Sequence, residues 1–249
     1  MIRTTAGRPR ATARTRPGST SLSLLGGFEL RCDGEPVSLP LTAQRLLAFL
    51  AVQEHPLQRL YVAGMLWTDA TDARAAASLR SSLWRLHRPG HELVVSTATH
   101  LRLAPGVDVD VHRASEFARR VLDGSADVDG VVAPEAALSG ELLPDWYDEW
   151  LLFERERFRQ LGLHALEQLA NRFLALGRPG RALGAALAAV RGEPLRESAH
   201  RTLIRVHLAE GNAGEALRQY ELCARLLRDR LGLAPSPLLE ELVSPLTRR

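Results

Sequence analysis

Asp72-Ala73-Arg74-Ala75-Ala76-Ala77-Ser78-Leu79-Arg80-Ser81-Ser82-Leu83-Trp84-Arg85-Leu86-His87-Arg88 is the stretch whose reading decides the fold. Ala76, Leu79, Leu83 and Leu86 recur at intervals of three and four, the spacing that lines side chains along one stripe of an α-helix. A helix from Thr71 or Asp72 to Arg88 is expected, with that stripe buried. At about 100° per residue the centre of the opposite face falls near Ser81 and takes in Arg74, Ala77, Trp84, Arg85 and Arg88. That face is basic, small and hydroxylic, with one aromatic. Arginine can hold guanine O6 and N7 or grip a phosphate, and Ser81 and Ser82 are short enough to let a helix approach a groove. The other reading of the same arginines is a solvated helix face, since exposed Arg is common. Trp84 invites a contact, with DNA or with a neighbouring hairpin.

Upstream, residues 58–67 read as a short helix. Leu46, Leu47, Phe49, Leu50 and Val52 mark another, which Thr42 can cap and Pro56 keeps from continuing. Before it come short strands: Leu22, Leu24 and Phe28, then residues 30–32, and residues 37–39 after a turn at Asp33-Gly34, a strong hairpin signal. Downstream, Pro89-Gly90 ends the decisive helix, and residues 93–96 and 101–103 form a second hairpin around Thr97-Ala98-Thr99-His100. Strands, three helices and a closing hairpin, with the last helix carrying the arginines, is the order of a winged helix-turn-helix. In that design the third helix enters the major groove and the hairpin lies along the backbone or minor groove. Residues 21–106 are assigned to this domain.

Charge supports the division without proving it. All 32 basic residues are Arg. Residues 1–106 hold 13 of them against 7 Asp and Glu, while residues 107–249 hold 19 against 22. A basic segment attracts phosphate backbones, so the first part is the candidate nucleic-acid binder. Arg3, Arg8, Arg10, Arg14 and Arg16 supply much of that excess, in a stretch (residues 1–20) read as a disordered basic tail or a basic arm on DNA. Cys32 and Cys223 stand far apart without metal-ligand spacing, so free thiols, no metal and no cofactor are expected. No apolar run reaches the length of a membrane span, and a cytoplasmic chain is expected.

After Pro105-Gly106, residues 107–111 read as a hinge into an almost wholly helical region, residues 107–249. Helices are legible at residues 111–122, 134–138, 146–176, 180–190, 197–210 and 213–230, the long one being one helix or two. A shift of 34 residues superimposes Gly177 on Gly211, Gly180 on Gly214, Ala182 on Ala216, Leu183 on Leu217, Leu169 on Leu203 and Leu174 on Leu208. That is the tetratricopeptide period, in which helix pairs stack and leave a groove for segments of other proteins. The expected fold class is mainly α: a winged helix-turn-helix followed by an all-α, tetratricopeptide-like domain.

These residues resemble a known family. Leu66-Trp67 and residues 72–86 look like the recognition region of Streptomyces antibiotic regulatory proteins (SARPs). That family's bacterial transcriptional activator domain is similar to Val109-Asp110 with the helix after it and to Gly140-Glu141-Leu142-Leu143-Pro144 with Trp146 and Trp150. It is also similar to Glu154-Arg155-Glu156-Arg157 and to the closing residues 216–221 and 231–237. The resemblance spans residues 21–243. It implies an activator that binds direct repeats near a promoter as a homodimer on double-stranded DNA and recruits RNA polymerase, often to a specialised-metabolite gene cluster. The DNA-facing residues it implies are Arg74, Ser81, Trp84, Arg85 and Arg88, with Arg102 on the wing. The sequence contains no GxxxxGK[ST] loop, so the short form of the family is expected, without an ATP-driven step.

An enzyme is not expected. Eight His are scattered without HExxH spacing, and neither a GxSxG elbow nor a dinucleotide glycine run occurs. Asp145, Asp148 and Glu149, beside Trp146 and Trp150, read as carboxylates at a helix N-terminus. Two alternatives stay open: a helical protein-interaction scaffold whose winged helix does not read DNA, and a repressor with the same DNA contacts.

Overall fold

The computed structural model describes residues 19–88, 90–128 and 134–247. They divide into two units, one of residues 19–23 and 28–109, the other of residues 24–27 and 110–247. The disordered tail expected over residues 1–20 falls almost wholly outside the described residues.

In the first unit, β1 (Thr20–Ser23), β2 (Glu29–Cys32) and β3 (Glu35–Pro36) form an antiparallel run. Asp33 and Gly34 both take positive φ between β2 and β3, the backbone of the hairpin turn that the Asp-Gly pair signals. α1 (Leu41–Val52) follows, with Ala43 and residues 46–52 all buried, so it is the central helix of this unit. Thr42, expected as its cap, lies inside the first turn. Pro40 holds the cap position in extended conformation, and its carbonyl accepts the Ala43 and Gln44 amides. β4 (Leu57–Gln58), α2 (Arg59–Leu66) and α3 (Asp72–Leu86) come next, then β5 (Val94–Ser96), β6 (His100–Leu103) and β7 (Val107–Val109). β4, β6 and β5 pair as one sheet, and β7 completes the other in the order β3-β2-β1-β7. The residues expected to begin a hinge are therefore a strand: Val107 and Val109 are buried, pairing parallel with Thr20 and Leu22.

The second unit contains α4 (Asp110–Leu122), α5 (Pro134–Leu138), α6 (Glu149–Ala175), α7 (Pro179–Gly192), α8 (Glu197–Ala209), α9 (Ala213–Leu231) and α10 (Pro237–Thr247). α6 is a single helix of 27 residues. α10, absent from the sequence reading, starts with Pro at its first position, where the missing N–H costs nothing, and buries Leu239 and Val243 against α8 and α9. The molecule is mainly helical.

The 34-residue repeat extends to the backbone hydrogen bonds. α6 ends with Arg178 N–H donating to Phe173 O and Gly177 N–H to Leu174 O; α8 ends with Asn212 donating to His207 O and Gly211 to Leu208 O. Both are Schellman turns, which need a left-handed residue at the position after the cap. Gly177 and Gly211 supply it, at φ +68° and +77°. The matched Leu169 and Leu203, and Ala182 and Ala216, are buried. Gly180 and Gly214 match in sequence too, but an added Cβ at either would meet open space. The requirement for glycine thus rests on Gly177 and Gly211 alone.

Residues 24–27 form a strap that belongs to the helical unit. The Asp110 carboxylate, at the start of α4, accepts the amides of Leu24 at 2.9 and 3.0 Å, Leu25 at 3.0 Å and Val111 at 2.7 Å. Gly26 N–H donates to Glu141 O, and Leu143 N–H to Leu24 O. Arg155 holds the loop opposite the strap, its guanidinium donating to the carbonyls of Leu142, Leu143 and Trp146.

Candidate nucleic-acid interface

The buried stripe of α3 is Ala75, Leu79, Ser82 and Leu86. It is turned by roughly 50° from the stripe expected on apolar periodicity alone. α3 packs against both α1 and α2. Small side chains permit a close approach between helices, and Ala75 and Ser82 provide them, leaving Ala76 and Leu83 half-buried on the flank. Two corrections follow. Ser82, expected near the groove-facing surface, is in the core. Arg80, outside the expected face, is exposed together with Arg74, Ala77, Ser81, Trp84 and Arg85.

Trp84 is 78% exposed, so it does not pack against the hairpin. Among the described residues, Arg74, Arg80 and Arg85 make no hydrogen bond or ion pair. In the helical unit, by contrast, Arg157 pairs with Glu154, Arg159 with Glu156 and Glu193, and Arg196 with Glu167. The α3 arginines therefore keep their charge uncompensated on a surface of small residues. Asp72 in the first turn and Arg85 in the last also suit the dipole of the helix.

Arg88 lies beyond the helix. α3 stops at Leu86, and Arg88 forms a bridge with His91, half-buried, one of its guanidinium nitrogens 3.4 Å from His87 O. His91 is anchored in turn by the Thr20 hydroxyl at 3.1 Å and the Asp33 carboxylate at 3.2 Å. Arg102 stands exposed on β6, next to Leu101, which is fully buried. The expected site residues thus split: Arg74, Ser81, Trp84 and Arg85 share one helix face, while Arg88 and Arg102 sit on other elements.

The wing hairpin is fixed from two sides. Thr97 Oγ1 accepts the His100 amide at 2.9 Å and the Thr99 amide at 3.3 Å, so its hydroxyl closes the turn without a glycine. Arg59, at the start of α2, donates to Ser96 Oγ at 2.7 Å and to Thr97 O, and its own amide donates to Thr99 O. A groove of about 540 Å³ runs between α2, α3 and the wing tip, with Arg59, Arg80, Thr99 and His100 in its walls. Sequence reasoning missed Arg59 and Arg80. Both were legible only once the rotation of α3 and the pairing of β4 with β6 were known.

Among the described residues no cluster of His, Cys, Asp and Glu is arranged to hold a metal, and no helix is long and apolar enough to cross a membrane. Cys32 and Cys223 are free thiols.

A winged helix-turn-helix with unpaired arginines on its third helix, followed by stacked helix pairs, defines a class of two-domain regulators. The model of the bacterial transcriptional activator domain matches residues 109–246. The chain is 29% identical to the regulatory protein AfsR of Streptomyces coelicolor over 259 aligned residues, covering 95% of this chain and 26% of AfsR. Its fold is similar to that of Mycobacterium tuberculosis EmbR, solved in complex with a low-affinity phosphopeptide. The TM-score is 0.69 at 21% identity, over 92% of this chain and 65% of that one. The chain belongs to the bacterial transcriptional activator domain family, and it spans about a quarter of the length of AfsR.

Proposed function

We propose that this protein is a sequence-specific DNA-binding activator that reads direct repeats near a promoter through the exposed face of α3, pairs as a homodimer on DNA and recruits RNA polymerase. The observation that carries the reading is the row of unpaired Arg74, Arg80 and Arg85 with Ser81 and Trp84 on one helix face. Arg85 and Ser81 are the base-edge candidates. Arg74 and Arg80 flank them as phosphate contacts, and Arg88 and Arg102 contact the backbone beside them. Control of a specialised-metabolite gene cluster fits the family but does not follow from the site.

The test is a mobility-shift titration of the full chain against the promoter regions flanking its own gene, comparing wild type with the Arg85→Ala/Arg88→Ala variant at two salt concentrations. Selective, salt-dependent binding that the variant loses is expected. No selective binding by folded wild-type protein would overturn the reading in favour of a helical scaffold. The scaffold reading has its own support in Tyr147 and Phe153, 92% and 82% exposed, because aromatic surface of this kind marks protein contacts. The two readings share that surface, since polymerase is itself a protein partner.

A further inference from the structure

A cavity of about 400 Å³ lies in the helical unit between the end of α5, the middle of α6 and the end of α7. Its floor is apolar, with Leu138, Phe158, Leu163 and Leu166 among the lining residues, and its rim carries Arg155, Arg159 and Arg191. The three guanidinium groups differ in what balances them. Arg159 is met by the carboxylates of Glu156 and Glu193. Arg155 is held by three backbone carbonyls, which fix it without cancelling its charge. Arg191 makes no hydrogen bond or ion pair among the described residues. The volume falls in the range of small-molecule sites, which combine an apolar lining with a few placed polar groups.

We infer that this cavity binds a small organic acid with an apolar body, its carboxylate meeting Arg191 and Arg155 and its hydrocarbon part lying on Leu138, Phe158 and Leu163. The site adjoins the strap. Glu141 and Leu142 line the cavity, and the same two residues receive Gly26 and pair with Leu25. A Cβ added at Gly140 would lie 3.2 Å from the Leu25 side chain. A bound acid therefore stiffens the loop that grips residues 24–27, which run directly into β1 and β2. The inference stands apart from the DNA-reading proposal, because its test contains no DNA.

Hexanoate, decanoate and 4-phenylbutyrate are titrated into the full chain by calorimetry, with decanol and decyltrimethylammonium as charge controls. Hydrogen exchange is then read at Leu25 and Gly26. Saturable binding of at least one carboxylate is expected, with neither control binding and with slower exchange at both amides. Arg191→Glu is expected to weaken binding about tenfold or more, the scale of a lost charge-assisted contact, while Arg191→Lys retains most of it. Arg191 is exposed, so both variants should fold, and unchanged melting temperatures check this. Absence of saturable binding for all three acids, equal binding of decanol, or wild-type affinity in Arg191→Glu would each overturn the assignment.

Discussion

A guanidinium with no carboxylate beside it can give its whole charge to a phosphate, and Arg80 meets that condition as fully as Arg85 does. Arg80→Ala is expected to weaken DNA binding across sequences alike and to lower the slope of log affinity against log salt by about 1, the value of one released counterion. Arg85→Ala should instead flatten discrimination between operator and random DNA. Titrations at three salt concentrations on both DNAs separate the two, and an Arg80→Ala slope equal to wild type would remove Arg80 from the interface. In the helical unit, His200 is fully buried between Pro194 O, at 2.9 Å from Nε2, and the Gln219 amide, at 2.6 Å from Nδ1. With Gln219 donating to Nδ1, the proton sits on Nε2 and the ring is neutral. Burial pushes its pKa below the ordinary 6.5. The unfolded chain then binds a proton that the folded chain refuses, so stability present above about pH 6.5 falls as pH drops toward and through the lowered value. Thermal melts from pH 7.5 to 5 should show this decline, reduced in His200→Gln; identical pH profiles would mean that His200 does not carry it.

Helix ends divide the repeat's glycines into two kinds. Gly177 and Gly211 occupy left-handed positions, where a Cβ costs about 1–2 kcal/mol. Gly180 and Gly214 lie in the first turns of α7 and α9 with open space around them, where alanine gains a few tenths of a kcal/mol in helix propensity. Gly177→Ala and Gly211→Ala should therefore lower the denaturation midpoint, and Gly180→Ala and Gly214→Ala should hold or raise it. A loss of equal size at all four would contradict the assignment. The same distinction marks what could be read from the sequence. Spacing revealed the repeat, because matched residues recur at a fixed interval, but it could not tell which glycine served the backbone. Periodicity found α3 as a helix and misjudged its rotation, since Ser82 counts as polar although a small hydroxylic residue fits a close helix contact. β7 escaped because three residues, Val107-Asp108-Val109, carry little signal when their partner, β1, is remote in sequence and parallel.

The path of the chain joins the two units more than once, passing between them at residues 23/24, 27/28 and 109/110. Leu24-Leu25-Gly26-Gly27 read as the continuation of a strand, and nothing local announced that these residues pack with α4 and the loop after α5. The consequence for experiment is direct. A fragment ending at Val109 keeps every strand and helix of the winged unit yet strips Leu24 and Leu25 of the Asp110 carboxylate, and Leu24 of the Leu143 amide. Leu24 is fully buried in the whole protein, and the fragment loses that burial, worth about 1.5–3 kcal/mol for a leucine side chain, together with the hydrogen bonds. Such a fragment should exchange the Leu24 and Leu25 amides without protection, so its loss of DNA binding would say nothing about α3. Point variants in the full chain avoid that confusion. Asp110→Ala should destabilise the protein by about 3 kcal/mol, since charged acceptors of this kind contribute about 1.5–3 kcal/mol per hydrogen bond and a buried donor is left behind. Asp110→Asn, which keeps one acceptor oxygen, should lose less. Chemical denaturation with exchange measured at Leu24 and Leu25 checks both: full protection of the two amides in Asp110→Ala would mean that the strap is held by its apolar packing and not by the carboxylate.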